Sequence, residues 1–339
     1  MKRRDFLKST AASAIGLSAV SQLLTPGALG RQAPSMSSRP MQSKRPFWPD
    51  GVRLAVSISM QFEAGAQPER GAESPFPPLD PKYPDLPAEK WYAYGVKEGI
   101  PRLLDLWDRK RIKVTSHMVG QAVDHNPELA KEIVDRGHEA AGHGQTWAPQ
   151  YSMSREEEKS SYQASVESIE RATGKRPVGF NAFWMRGTPN TLEILQELGF
   201  IYHIDDLSRD EPFLVEVKGK PFVVVPYTIE HNDIVLFEAR HFSAHAFAQE
   251  LKDAFDVLYE EAATRRRLLS VSAHDRISGH PARVKAFAEF IDYAQKHRDV
   301  WFARKDEIAR FVLERRASTP VVVRGPARET GLPGPTEAP

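Results

Sequence analysis

The sequence predicts an α/β barrel with its chemistry gathered at one mouth, and three observations carry that expectation. Five short apolar runs each end in polar residues suited to acid–base work. Residues 54–59 precede Gln61 and Glu63, 137–141 precede His143, and 177–181 lead to Arg186. Residues 199–204 lead to Asp205 and Asp206, and 268–271 lead to His274, Asp275 and Arg276. Runs of that length read as buried parallel strands, and helical spacings lie between most of them. The 339 residues, 41% hydrophobic and 27% charged, suffice for one large barrel or two smaller domains. In barrels of alternating strands and helices, side chains at the C-terminal strand ends converge on one site. An enzyme is therefore the leading reading.

Taken in order, the chain opens on Met1-Lys2-Arg3-Arg4-Asp5-Phe6-Leu7-Lys8, a twin-arginine pattern, followed by an apolar stretch over 11–24. That stretch is too short to cross a bilayer, and the small residues around 28–30 suit cleavage. Residues 1–30 are expected to be an export signal, 31–46 a Pro/Ser-rich linker, and 47–316 the barrel, delivered to the periplasm or secreted. Residues 67–90 are proline-rich without a period and read as a long loop after the first strand. Ile100, Leu103, Leu104 and Trp107 recur at helical spacing, and 112–119 reads as a strand. A short helix over 127–135 starts on Pro127 and stops before Gly137. Ser154-Arg155-Glu156-Glu157 is a capping box opening a helix to about 172, ended by Gly174. A helix over 188–198, a strand over 221–226, long amphipathic helices over 244–264 and 281–297, a strand over 300–303 and a helix over 306–313 complete the barrel layer. The tail, 317–339, is rich in Pro, Gly, Thr and Glu and is expected to be disordered.

Charge removes some function classes. Lys plus Arg total 46 against 45 for Asp plus Glu, so no global field favours nucleic acid or an anionic membrane. With no cysteine, neither a disulfide nor a thiolate nucleophile or ligand is available.

The motifs at the predicted strand ends resemble those of the NodB-type polysaccharide deacetylase superfamily, within it most nearly the allantoinase-like branch. The stretches that carry the likeness are 56–65, 92–95, 137–147, Phe183-Trp184-Met185-Arg186, 225–227 with Asn232-Asp233, and 270–276 followed by Gly279-His280-Pro281. Together they run from about Phe47 to Phe311. The resemblance implies a distorted (β/α)7 barrel that hydrolyses carbon–nitrogen bonds other than peptide bonds. Metal-dependent members carry two aspartates in the first motif and two histidines four residues apart in the second. Here those places hold Gln61 and Glu63, and His143 and Trp147. The cofactor is accordingly either none or one Zn-type divalent ion held by Glu63 and His143, two ligands where a catalytic zinc has three. The allantoinase-like branch resembles a metal-independent amide hydrolase with a homo-oligomeric assembly; the sequence itself carries no sign of a subunit interface.

Amide hydrolysis needs a base for water, donors for the oxyanion and an acid for the leaving nitrogen. Gln61 does not titrate usefully, so Glu63 is the candidate base, its pKa expected to be raised by Phe62 and Trp147. Arg186 is a candidate partner for Glu63 or substrate. His274 resembles the family's general acid, with Asp275 to orient it. His143 lies between Gly142 and Gly144, which allow close approach to a ligand. His138, five residues earlier, points to the other strand face and reads as structural. Gln61, His143, Trp147, Trp184, Asp205, Asp206 and Arg276 are the candidate substrate contacts. His231, Asn232 and Asp233 form a loop cluster readable as a pocket wall, a subunit contact or turn chemistry. The expected substrate is an oligosaccharide N-acetyl amide or a small linear or cyclic amide. The rivals are a degenerate barrel that binds without reacting and a carbohydrate-binding protein.

Overall fold

The computed structural model describes residues 47–80 and 82–322. The expected signal, 1–30, and linker, 31–46, lie outside the described residues, as does the tail from residue 323.

Among the described residues ten strands follow one another: β1 (Leu54–Phe62), β2 (Thr115–Met118), β3 (Glu139–Gly142), β4 (Gly179–Phe180), β5 (Tyr202–His203), β6 (Phe213–Val217), β7 (Lys220–Val224), β8 (Leu268–His274), β9 (Val300–Phe302) and β10 (Val321–Val322). They form one sheet in the order β10-β6-β7-β5-β4-β3-β2-β1-β8, with β9 also on β1. The pairings are parallel except β6 with β7. The sheet does not close into a regular ladder. A single parallel bridge, Asn232 to Ser272, spans the gap beside β8. This is the distorted α/β barrel that the motifs implied.

The two faces of β1 explain the arrangement. Val56, Ile58, Met60 and Phe62 enter the main apolar core with Leu103, Leu104, Trp107, Phe247, Phe255 and Phe287 from the surrounding helices. The alternate residues point inward: Ser57 accepts from Lys305 Nζ at 3.2 Å, and Gln61 Nε2 reaches Ser272 Oγ at 3.4 Å. Period-two alternation thus puts Gln61 on the interior face and carries the chain on to Glu63 at the mouth.

Several elements form where local chemistry calls for them. Helix α1 (Leu86–Tyr94) is capped by Asp85, which accepts from Ala88 N, with a proline in its first turn. The expected loop to residue 90 therefore ends five residues early. A π-helical turn at Gly95–Gly99 joins it to helix α2 (Ile100–Lys110). The capping box closes both ways, Ser154 N to Glu157 Oε2 at 2.8 Å and Glu157 N to Ser154 Oγ at 3.3 Å. Strand β6 was not foreseen. It pairs back on β7 through Lys218 and Gly219, both at positive φ as a tight hairpin turn requires. Residues 317–322 also depart from the expected disorder. Arg266 Nη1 donates to Thr319 Oγ1 at 3.0 Å, and Val321 and Val322 pair with Leu214 and Val215. That pairing gives the edge strand β6 a partner.

Candidate active site

Three strand ends bring the central side chains together. Glu63 follows β1, His143 follows β3, and His274 ends β8, where it sits in register with Gln61. All three are buried and line a small cleft walled by Trp147, Trp184 and Tyr227. Glu63 Oε1 lies 3.5 Å from His143 Nε2 and 3.5 Å from His274 Nε2. Its other oxygen accepts from Arg276 Nη1 at 2.6 Å.

The histidines are locked from behind. His143 Nδ1 lies 2.7 Å from Asn181 O. A carbonyl only accepts, so Nδ1 carries a hydrogen, and the neutral ring then turns a lone pair on Nε2 toward the cleft. Asn181 is in turn held by Asp205 Oδ1, which accepts from its Nδ2 at 2.7 Å. His274 Nδ1 lies 2.5 Å from Asp233 Oδ1, and its backbone N–H donates to Asp233 Oδ2 at 2.7 Å. Ser278 Oγ also donates to Asp233 Oδ2, at 2.5 Å.

Charge follows from these contacts. Burial would push the Glu63 carboxyl up, yet His274 and Arg276 hold it well below the ordinary carboxylate range. Burial likewise works against the charged form of His274, and Asp233 and Glu63 override it, raising its pKa above the ordinary imidazole value. At neutral pH the centre therefore holds an ionised Glu63 opposite a His274 biased toward imidazolium.

Some sequence expectations need correction. Glu63 was expected to have a raised pKa, but the His274 imidazole and the Arg276 guanidinium outweigh its apolar surroundings. Arg186 is exposed, and Arg276 is the guanidinium on Glu63. Arg276 is not a substrate contact either. It is fully buried, with its guanidinium 4.3 Å from the Tyr92 ring centre and 4.8 Å from that of Trp91. Asp275 does not orient His274, a task that falls to Asp233. Its Oδ2 accepts from Glu63 N at 2.9 Å and Ala64 N at 2.8 Å, bracing the turn that presents Glu63. Asp205 braces Asn181 and Ala182, and Asp206 caps a turn through Ser208 N at 2.8 Å. Both face a neighbouring groove instead of the cleft. Gln61, His143, Trp147 and Trp184 do line the cleft. Asn232, from the loop cluster readable as a pocket wall, joins them, as do Asn181, Tyr227 and Met185, which the sequence did not single out as contacts.

The donor set fits a divalent ion poorly. Trp147 stands at the second imidazole place, its ring centre 5.1 Å from that of His143. Metal binding requires a neutral imidazole, whereas His274 is biased to keep its proton, and a guanidinium already holds the carboxylate. Among the described residues no cluster of three His, Cys, Asp or Glu side chains is arranged to hold a metal.

The family model for polysaccharide deacetylase matches residues 90–203. The crystal structure of a probable polysaccharide deacetylase from Pseudomonas aeruginosa PAO1 is 35% identical, covering 79% of this chain and 94% of that one, with a TM-score of 0.74. The crystal structure of Puue allantoinase is 32% identical, covering 81% and 95%, with a TM-score of 0.76. A peptidoglycan deacetylase from Helicobacter pylori is 28% identical over 250 residues, 64% of this chain and 84% of that protein.

Proposed function

The chain belongs to the polysaccharide deacetylase family and is a hydrolase of non-peptide carbon–nitrogen bonds, and from that premise we propose that it hydrolyses a compact amide by acid–base chemistry on its own side chains. The observation that carries this reading is the placement of Glu63 Oε1 at 3.5 Å from two imidazole nitrogens inside one cleft.

A water seated on the cleft side of Glu63 Oε1 and His143 Nε2, off the 3.5 Å line joining them, can donate to both, which aims its oxygen lone pair at an amide carbonyl. Glu63 binds a proton weakly, so it orients the water, and the proton released on attack passes to His143 Nε2. The ionised Glu63 then stabilises the imidazolium formed. The Gln61 amide and the Trp147 indole N–H are donors available to the oxyanion; Trp147 Nε1 has no partner among the described residues. As the C–N bond breaks, His274 Nε2 gives its proton to the leaving nitrogen, with Asp233 holding the ring.

The narrow aromatic cleft and the likeness to an allantoinase structure support a small linear or cyclic amide. The relatives named as polysaccharide and peptidoglycan deacetylases support a second reading, removal of N-acetyl groups from an oligosaccharide. Amine and carboxylate release from a panel of small amides, cyclic ureides and chitooligosaccharides separates the two. No turnover of any of them leaves only a binding barrel. Export by the twin-arginine route is part of the proposal and rests on residues 1–30.

A further inference from the structure

If the chain hydrolyses an amide as proposed above, Met185 sits where the size of that amide is limited. Two hollows open side by side near the mouth. One is the catalytic cleft, with room of only about 30 Å³, and the other is a roomier groove of about 390 Å³ with Thr188, His203, Asp205, Asp206, Ser208 and Arg209 on its walls. Met185 lines both. It is the thioether wall between the catalytic residues and a polar groove with enough hydroxyl, carboxylate and guanidinium groups to take a sugar-sized extension of a substrate.

The backbone under Met185 is strained. Trp184 has φ of 49° and Met185 has φ of 58°, the one adjacent pair of non-glycine residues at positive φ among the described residues. A residue with a Cβ pays for this conformation while glycine adopts it freely. Such strain persists only where the surroundings over-determine it. Here they do: Ala182 N–H donates to both oxygens of Asp205 at 3.0 and 3.1 Å, Phe183 N–H donates to Gln150 Oε1 at 2.8 Å, and the turn closes from Met185 N to Ala182 O at 2.9 Å. The turn is pinned from both sides, and its effect is to hold two large side chains against the catalytic cleft.

We propose that Met185 is a specificity-determining partition: it confines the cleft to compact amides and shuts off the polar groove, which would otherwise bind the continuing part of a larger hydroxyl-rich amide.

The test compares wild type with Met185→Gly, Met185→Asn and Met185→Leu on acetamide, N-acetylglucosamine and its β-1,4-linked dimer and tetramer. Gly and Asn both accept the left-handed backbone, so either can carry the test if the other fails to fold. The expected result is a rise of at least ~10-fold in kcat/KM for the dimer relative to acetamide in both, the scale on which lost methylenes alter a pocket. Met185→Leu should keep the wild-type ratio, and the Gly variant should melt no lower than wild type. A ratio that stays within about twofold of wild type in Gly and Asn variants overturns the partition while leaving the proposed chemistry intact. Efficient wild-type turnover of the tetramer does the same. If wild type hydrolyses none of these amides, nor any cyclic ureide, the functional reading fails and the partition falls with it.

Discussion

His274 Nδ1 sits 2.5 Å from Asp233 Oδ1, on a segment that touches β8 through one backbone bridge at the neighbouring Asn232. This contact fixes the ring's orientation and favours its charged form, the two things required of a general acid. It also makes the acid's strength depend on a residue 41 positions away in the chain.

Asp233→Asn tests that dependence. Burial alone lowers the proton affinity of His274, and Asp233 is the first of the groups that raise it. Removing its charge should lower the pKa, so the alkaline fall in kcat moves to lower pH. A drop of about 10²–10⁴ in kcat is expected at neutral pH. A pH–rate profile checks it, and an unmoved alkaline limb would mean that another group is the acid.

Arg276 and Arg186 should separate cleanly. Arg276→Met strands a buried Glu63 carboxylate, a break expected to cost about 3–5 kcal/mol. Arg186→Ala removes an exposed side chain and should cost less than about 0.5 kcal/mol, with kcat held within a few-fold. Denaturant titration of both gives the comparison. The sign with pH also follows. Glu63 titrates lower in the folded state than its ordinary 4.5, so its contribution is present above that value and is lost as pH falls toward the depressed one.

Gly99→Ala should disturb the site from outside it. A Cβ there would stand 2.0 Å from the carbonyl oxygen of Asp275, whose side chain holds the backbone of Glu63. Overpacking of this kind costs about 1–3 kcal/mol or more. Because the backbone under Glu63 would move, kcat should fall further than the melting temperature alone explains. Steady-state kinetics well below the melting transition measures this.

Export has its own test. A reporter fused after residues 1–46 should leave the cytoplasm, and replacing Arg3 and Arg4 with lysines should retain it there. Reporter localisation unaffected by the double replacement would remove the twin-arginine assignment.

Much of this site was legible in the sequence. Glu63, His143 and His274 each follow an apolar run, and strand ends in a parallel α/β sheet converge. The arginine was misassigned because strand position tells which residue leaves the sheet but not whether its side chain folds back. Arg276 turns inward against Trp91 and Tyr92, and those rings come from α1, whose first five residues fall in the stretch read as loop. The same blind spot reversed the expected pKa of Glu63, since the aromatics were visible and the guanidinium partner was not. Asp233 was noted only as a member of a loop cluster, and its role as the partner of His274 was hidden for a different reason. It lies in irregular backbone with no period to mark it, and its partner is distant in sequence. Strand β6 was missed although Phe213 to Val217 is strongly β-forming, because its pairing turn, Lys218-Gly219, lacks the usual Asn or Asp.

Metal content measured together with turnover examines the whole account most directly. Purified mature protein, stripped with chelator and assayed for bound Zn²⁺ and related ions, should keep its full kcat/KM with far less than about one ion per chain. Stoichiometric metal whose removal abolishes amide hydrolysis, and whose return restores it, would contradict catalysis by Glu63, His143 and His274 alone.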